Sequence, residues 1–342
     1  MFLNRSSNSI TGIKWVDVFV SVDEIRKFSS PRSFSDFEKR VGKTPIFELK
    51  RINNTKSRIF VKADFLNPSG SIKDVMAYHM IKRAEERGVL HRGMEIIEAT
   101  SGNTGISLAL ISKLRGYNFT AVMPEHMSIE RRKIIESLGG KIVLTPEKED
   151  MGGAVKKLNE ISKERPGAWL PKQFENPDNI EAHKNITWNE IHKYMNGKII
   201  DAFVAGVGTG GTIMGVAECL KQHHQHARIV AVEPDESPVM SGGRPGIHGI
   251  QGIGEGFVPK LVDMKMIDEI VRIKTKDAIE MTNRLLGEEN LFAGISSGAN
   301  VLASLKMAKK IGEGKNIVTV LPDSGNRYLS MGIFNLGSKN KE

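Results

Sequence analysis

The sequence predicts an α/β protein in which mostly parallel sheets are flanked by helices. From Thr44 to Pro322, short apolar segments typical of strands alternate with amphipathic segments typical of helices, as in repeated β-α-β units. Glycine- and serine-rich loops follow several of these strands, where open α/β sheets bind their ligands. A length of 342 residues is sufficient for two such layered domains.

The predicted elements follow one another in a regular order. Strands are predicted over 46–50, 58–64, 94–100, 119–124, 141–146, 201–206, 228–234 and 316–322, and helices over 74–88, 106–116, 129–139, 152–164, 179–195, 212–224, 276–289 and 299–312. Two of the helices close on Gly88 and Gly116, a common C-terminal signal. Residues 1–44 form a predicted N-terminal extension, with a strand-like segment over 16–25 and a linker-like segment over 29–37.

Composition narrows the class of protein. Hydrophobic residues make up 39% and charged residues 26% of the chain, as in a globular protein with a substantial core. The net charge of +9 comes from basic residues scattered among acidic ones, so it favours small anions and not nucleic acid. The sequence has no run of about 18 apolar residues, so it predicts no membrane span. The single cysteine, Cys219, permits no intrachain disulfide and favours a reducing, cytoplasmic location.

A lysine at an unusual place is the first candidate for chemistry. Turn-forming residues over 67–70 precede a helix pattern, and Ser71 with Asp74 predicts a capping box at its start. Lys73 then lies in the first helical turn, where the helix dipole disfavours a cation and lowers the pKa of the amine. A neutral amine is a nucleophile. The alternative is a solvated surface lysine.

Two further loops predict anion binding. The loop Thr100–Gly105 offers hydroxyls, an amide and helix-start N–H groups for a carboxylate, or else only caps its helix. The loop Gly206–Thr212 lets the backbone approach a phosphate. This second loop also satisfies G-x-G-x-x-G, and Glu233 follows about twenty residues later. A nicotinamide-dependent oxidoreductase is therefore an alternative.

Other motifs have simpler interpretations when taken alone. The loop 294–298 predicts a capped helix start, and the glycines over 241–256 predict a long active-site loop. The histidine cluster at 223–226 predicts a solvated helix end and not a metal site, because no cysteine or acidic residue has ligand spacing nearby.

Seven motifs occur in an order that resembles one enzyme family. NPSGSIKD, EATSGNTG, MPEHMSIERRKIIESLGG, GVGTGGT, GIQGIGEGFVP, AGISSGA and LPDSGNRYLS extend the similarity from about Val41 to about Phe334. They resemble the cysteine synthases, which are O-acetylserine sulfhydrylases of the β-family of pyridoxal-phosphate enzymes. The implied fold is fold type II, like the tryptophan synthase β-subunit. The implied domains are a smaller one over 67–177 with a mobile substrate loop and a larger one over 45–66 plus 178–335, with 336–342 as a tail.

The resemblance also implies roles for residues at matching positions. Lys73 would be the Schiff-base lysine and general base, Asn103 a partner of the cofactor's 3′-oxygen, and Ser296 the partner of the pyridine nitrogen. The phosphate group of pyridoxal 5'-phosphate would bind Gly208, Thr209, Gly210, Gly211 and Thr212. The substrate carboxylate would bind Thr100, Ser101, Gly102, Thr104 and Gln173. No metal site is implied.

The reaction implied is a β-replacement. O-acetyl-L-serine and sulfide would give L-cysteine and acetate through an α-aminoacrylate intermediate, with ping-pong kinetics. O-phosphoserine sulfhydrylase and cystathionine β-synthase-like activities remain alternatives, as does a catalytically silent pyridoxal-phosphate-binding regulatory protein. The family further implies a homodimer and allows a serine acetyltransferase partner. One departure is Val75, where the family usually has arginine.

Overall fold

Two sheets organise the chain in the computed structural model, which describes residues 30–334. A larger sheet has six strands in the order β1-β2-β9-β6-β7-β8, and a smaller sheet has three in the order β3-β4-β5. The strands are β1 Ile46–Glu48, β2 Arg58–Lys62, β3 Glu95–Ala99, β4 Asn118–Pro124, β5 Lys141–Thr145, β6 Ala202–Gly206, β7 Arg228–Pro234, β8 Glu269–Ile273 and β9 Asn316–Val320. Only the pairing of β1 with β2 is antiparallel among the described strands.

Helices cover these sheets. They are α1 Phe34–Arg40, α2 Lys73–Glu86, α3 Asn103–Arg115, α4 Ile129–Ser137, α5 Asp150–Glu164, α6 Asp178–Ala182, α7 Asn189–Met195, α8 Gly211–His223, α9 Thr275–Glu289 and α10 Ile295–Ile311. A π-helical stretch, His183–Trp188, joins α6 to α7. The predicted helix over 179–195 is therefore one continuous helical segment with a wider turn in the middle.

The larger sheet is buried on both faces. On β6, Val204 packs into one apolar cluster with residues of α9 and α10, while Phe203 and Ala205 pack into another with residues of α7 and α8. This alternation follows from the two-residue period of a strand. The observed alternation of strands and helices confirms the predicted α/β class with mostly parallel sheets.

The smaller sheet is layered in the same way. Ile96 and Ala121 face α2 and α3, whereas Ile97 and Val122 face α5. The two-sheet arrangement is compatible with the predicted domain limits, which stay a prediction. No helix within residues 30–334 is long and apolar enough to cross a membrane.

Two details of the prediction were wrong. The linker-like segment over 29–37 contains most of α1. This helix begins directly after Ser33, whose hydroxyl accepts a hydrogen bond from the Asp36 N–H at 3.1 Å. Phe37 of α1 is fully buried in the apolar cluster around α2, so burial outweighs the turn-forming composition. The second omission is β8, whose short segment lies at the edge of the sheet. The strand-like segment 16–25 and the tail 336–342 lie outside the described residues.

Candidate active site

Lys73 is the first residue of α2, but the helix start differs from the predicted capping box. Ile72 is the N-cap, without a side-chain cap. Ser71 is held in an extended bridge with Asp323, and its hydroxyl accepts from the Lys73 N–H at 3.3 Å. The Asp74 carboxylate accepts from the Ser69 N–H at 2.6 Å instead. The bridge fixes Ser71 outside the helix, so the predicted pairing of Ser71 with Asp74 was wrong.

The amine of Lys73 lies in a desolvated environment with charges of both signs nearby. Burial lowers its pKa most strongly, whereas the carboxylates of Glu255 and Asp323 raise the pKa and the Arg131 guanidinium lowers it. Lys73 is intermediate in exposure and is therefore not a fully solvated surface lysine. These surroundings favour the nucleophilic amine over the alternative of a surface lysine.

The predicted substrate loop joins β3 to α3. The Thr100 hydroxyl accepts from the N–H groups of Gly102 at 2.9 Å and Gly105 at 3.2 Å, and Gly102 has a φ of 130° that favours glycine. The Thr104 hydroxyl donates to Gln173 Oε1 at 2.7 Å. The structure therefore brings Gln173 to this loop from about seventy residues further along the chain.

A buried ionic cluster supports the same loop from behind. The side chains of Arg131 and Asp323 are 0% and 1% exposed, with 3.4 Å between Nη2 and Oδ2. The same Asp323 oxygen accepts from Asn103 Nδ2 at 2.7 Å and from the Tyr328 hydroxyl at 2.7 Å. Arg131 also donates to the Ser101 carbonyl at 3.0 Å. A fixed charge pair thus positions Asn103 and the backbone of the substrate loop.

Three residues of this cluster were not predicted as site residues: Arg131, Asp323 and Tyr328. The signal was present, because these residues lie in two of the seven motifs, MPEHMSIERRKIIESLGG and LPDSGNRYLS. Each is separated from Asn103 by many residues along the chain, so residue patterns alone do not show that they meet. Glu255, in the motif GIQGIGEGFVP, was missed for the same reason.

The predicted phosphate loop joins β6 to α8. Gly210 has a φ of 86°, and a Cβ on Gly211 would lie 2.0 Å from Asn179 Oδ1, so both positions require glycine. Asn179 also donates from Nδ2 to the Thr209 hydroxyl at 3.0 Å. The Thr212 hydroxyl oxygen lies 3.2 Å from His183 Nε2. The loop is therefore packed tightly around a helix N-terminus, the arrangement that binds phosphate.

The environment of His183 keeps its imidazole neutral. Burial, together with the smaller effect of the positive charge of Lys73, lowers the pKa of His183 to about 3. Its other nitrogen, Nδ1, lies 2.8 Å from the Thr187 hydroxyl. A neutral ring at this place adds no positive charge beside the phosphate loop.

Ser296 lies in the first turn of α10 and is 3% exposed. The preceding Gly294 donates its N–H to the Asp323 carbonyl at 2.8 Å, and a Cβ on Gly294 would lie 2.0 Å from Asp323 Oδ1. Ser296 is therefore held by the same segment that carries the buried ionic cluster.

These residues fit a cofactor of the size and chemistry of pyridoxal phosphate. Lys73 supplies a desolvated amine, and the glycine loop supplies backbone N–H groups at a helix start. Two buried polar atoms, Asn103 Oδ1 and Ser297 Oγ, have no hydrogen-bond partner within the described part of the chain. Buried polar groups are almost always satisfied, so such atoms indicate a place for a polar ligand. The described residues contain no group of three or more His, Cys, Asp or Glu side chains suited to a metal ion.

The oxidoreductase alternative fails at Glu233. Both of its carboxylate oxygens accept hydrogen bonds from the loop that follows β7: Oε2 from the Met240 N–H at 2.8 Å and Oε1 from the Ser241 N–H at 3.1 Å. A dinucleotide-binding carboxylate must instead be free for a ribose hydroxyl. Glu233 is 1% exposed and serves to anchor this loop.

A cavity of about 900 Å³ opens beside the substrate loop. Ser101 lies on one side, and the glycine-rich segment 245–257 lies on the other. Its charged and titratable lining residues are Glu125, His126, Glu147, Lys148, Glu149, Asp150, His248 and Glu255. The opening is thus bordered by more carboxylates than cations.

Known proteins resemble this chain over most of its length. The family model for pyridoxal-phosphate dependent enzymes matches residues 37–323. A cysteine synthase of Staphylococcus aureus is 46% identical over 295 residues, which cover 86% of this chain and 95% of that protein. The crystal structure of cysteine synthase from Entamoeba histolytica has a TM-score of 0.84 at 38% identity and covers 98% of this chain and 96% of its own. That of an O-acetylserine dependent cystathionine beta-synthase from Helicobacter pylori has a TM-score of 0.83 at 37% identity and covers 87% and 98%.

These similarities agree with the geometry of the site around Lys73, the substrate loop and the phosphate loop. They confirm the resemblance that the seven motifs indicate, and they confirm fold type II. Pyridoxal phosphate is accordingly the cofactor of this protein. The chain belongs to the family of pyridoxal-phosphate-dependent enzymes.

Proposed function

We propose that this enzyme is an O-acetylserine sulfhydrylase, which converts O-acetyl-L-serine and sulfide into L-cysteine and acetate. The observation that carries the proposal is the proximity of three parts. Lys73 interacts electrostatically with Asp323 behind the substrate loop. Gln173 bonds to that loop through Thr104, and Asn179 bonds to both Gln173 and Thr209 of the glycine loop before α8. The Staphylococcus aureus relative, a cysteine synthase, supports this reaction.

Each part of the cleft has a proposed role. Gly208, Thr209, Gly210, Gly211 and Thr212 hold the cofactor phosphate, Asn103 binds the 3′-oxygen, and Ser296 binds the ring nitrogen. Thr100, Ser101, Gly102, Thr104 and Gln173 hold the substrate carboxylate. When bound, pyridoxal phosphate supplies a carbonyl that condenses with amines and a ring that accepts electrons from Cα.

Lys73 performs the proton transfers at Cα. Burial lowers its pKa and so favours the neutral amine, which can take the α-proton and later return it. The loop over Thr100–Thr104 orients the carboxylate and excludes water when it closes. A serine hydroxyl at Ser296 does not hold a proton on the ring as an aspartate would, which moderates electron withdrawal and suits β-elimination better than transamination.

The lining of the cavity favours an acetylated donor over a phosphorylated one. Five carboxylates border it, with Lys148, His126 and His248 as the basic groups among its lining residues. A phosphate dianion would be repelled more strongly than a neutral ester. The silent regulatory alternative is not favoured, since the chain has Lys73, Asn103 and Ser296 at the positions to which the family resemblance assigns the reaction.

The setting of the enzyme is proposed on weaker grounds. We propose a homodimer in the cytoplasm, because the family resemblance implies the dimer and the single cysteine, Cys219, suits a reducing compartment. A serine acetyltransferase is a proposed partner by the same resemblance. Mobility of the loop over Thr100–Thr104 is also part of this proposal.

The test compares donors and removes the lysine. Purified wild-type protein is offered O-acetylserine, O-phosphoserine and serine, each with sulfide, and cysteine is measured. Acetylserine should be the best donor, and Lys73→Ala should abolish turnover and the visible absorbance of the lysine-bound cofactor. A preference for phosphoserine, or full activity of Lys73→Ala, would overturn the proposal.

A further inference from the structure

Glu255 lies in the cleft but has no role in the reaction as described so far. It belongs to the segment between β7 and β8 and lines the same cavity as Ser101. Its Oε1 is 3.6 Å from the position that a Cβ would occupy on Gly208. The carboxyl group is therefore placed beside the proposed phosphate loop and borders the open cavity.

The backbone around Glu255 is anchored. The N–H of Gly254 donates to the Val207 carbonyl at 2.9 Å, and the Gly254 carbonyl lies 2.9 Å from His248 Nε2. Gly254 and Gly256 have φ values of 69° and 81°, conformations that favour glycine. The two glycines thus present the Glu255 side chain on a segment attached to the glycine loop.

Charges from several elements act on this carboxyl group. Burial and the negative charge of Asp150 on α5 raise its pKa, and the positive charges of Lys73 on α2 and Arg131 on α4 lower it, which leaves the pKa at about 7. The other titratable groups around the cavity are Glu125, His126, Glu147, Lys148, Glu149 and His248. A group that is half ionised near neutral pH is well matched to proton transfer.

The cavity also selects the form of the nucleophile. Its carboxylates disfavour entry of the hydrosulfide anion and leave neutral hydrogen sulfide as the favoured form. A neutral sulfur nucleophile must lose a proton as it bonds to carbon. Lys73 is engaged in returning the proton to Cα, so a second group is needed to accept the sulfur proton.

We propose that Glu255 is the proton acceptor for the incoming sulfur nucleophile, an inference that rests on the proposed sulfhydrylase function. The S–C bond forms at the β-carbon that lost acetate, while the S–H bond breaks and its proton passes to a Glu255 carboxylate oxygen. Lys73 returns its own proton to Cα. Glu255 then releases its proton to water through the cavity. Over the cycle, one acetate anion and one proton leave with each cysteine.

The test uses Glu255→Gln in the cofactor-loaded enzyme with O-acetylserine and sulfide. Values of kcat/KM for total sulfide are measured from pH 6, where hydrogen sulfide dominates, to pH 9, where hydrosulfide dominates. The variant should lose about tenfold at pH 6, because general base catalysis is worth at least about 100-fold and about one tenth of the Glu255 carboxyl is ionised at that pH. At pH 9 it should equal or exceed the wild type, because the anion needs no base and one repelling charge is gone.

Asp150→Asn is the matched control. It removes one negative charge from the same cavity, and asparagine tolerates the φ of 43° at this position. The ratio of the kcat/KM of Asp150→Asn to that of the wild type should vary by less than about threefold across the pH range, as expected for a charged group that takes no part in proton transfer. A pH-independent loss in Glu255→Gln, no loss at pH 6, or the same profile in Asp150→Asn would overturn the proposal.

A second measurement does not depend on turnover. In the cofactor-free protein, infrared difference spectra between pH 5.5 and 8.5 should contain a carboxylic acid band that titrates near pH 7 and disappears in Glu255→Gln. The band of Glu98, whose pKa is raised to about 8, should remain in the variant. Absence of the Glu255 band from the wild type would also overturn the proposal. If the wild-type enzyme makes no cysteine at any pH, the proposed function itself fails, which is a different outcome from a wild-type enzyme that is active with an unchanged pH ratio.

Discussion

Replacing Asp323 with asparagine should destabilise the protein more than any single hydrogen bond explains. One Asp323 oxygen accepts from Asn103, Tyr328 and Arg131, and the Arg131 side chain is 0% exposed. Asp323→Asn leaves that guanidinium as an uncompensated buried charge. Removing one partner of a buried ion pair costs about 3–5 kcal/mol.

Urea unfolding followed by circular dichroism measures this effect. With a slope of roughly 3 kcal/mol per molar urea, the midpoint of Asp323→Asn should fall by roughly 1–1.7 M. Tyr328→Phe is the comparison, since it removes a hydroxyl and no charge and should cost about 1 kcal/mol. The double variant Arg131→Met with Asp323→Asn should recover part of the loss, because both charges are then absent.

Two results would refute this reasoning. If Asp323→Asn and Tyr328→Phe lower the midpoint equally, the charge of Asp323 is not what matters. If the double variant is as unstable as the sum of the single variants, the two side chains do not interact.

Two further predictions concern Glu98 and Gly211. Burial raises the pKa of Glu98 to about 8 from an ordinary value of 4.5, so the stability contributed by the protonated Glu98 is fully present below about pH 4.5 and is lost as the pH rises through 8. The melting temperature of Glu98→Gln relative to that of the wild type should therefore increase between pH 6 and pH 9. A difference in melting temperature that is independent of pH would contradict this. Gly211→Ala places a Cβ 2.0 Å from Asn179 Oδ1 and should weaken pyridoxal phosphate binding at least about tenfold by fluorescence titration. Gly152→Ala, where nothing lies within 4 Å, should bind normally, and equal affinities for the two variants would contradict the assignment of the phosphate loop.

Much of this architecture was predictable from local sequence. The strand and helix patterns are strong because both sheets are buried on two faces, and the motif order indicated the family. Lys73 and Asn103 were recognisable because each begins a helix after turn-forming residues. Their roles toward cofactor and substrate remain predictions.

What local patterns missed depends on contacts between distant segments. Helix α1 follows a serine-rich stretch, and only the burial of Phe37 beneath α2 explains it. The capping box failed because Ser71 pairs with Asp323, about 250 residues later. Glu255 resembles any loop glutamate until folding places it beside Gly208. Tertiary contacts, which have no local signature, decided these positions.

The pairing of β2 with β9 bears on how the chain folds during synthesis. Arg58 lies opposite Asn316 in this parallel pair, so β2 cannot pair with β9 until the long segment between them has been translated. At about 5–20 residues per second, translation of the intervening segment takes roughly 13–50 s. Asp323, which follows β9, arrives later still. Helix α2, which carries Lys73, therefore gains its contact with Asp323 only after β9 has been translated, and a chain that stalls earlier exposes an incomplete sheet with an open edge.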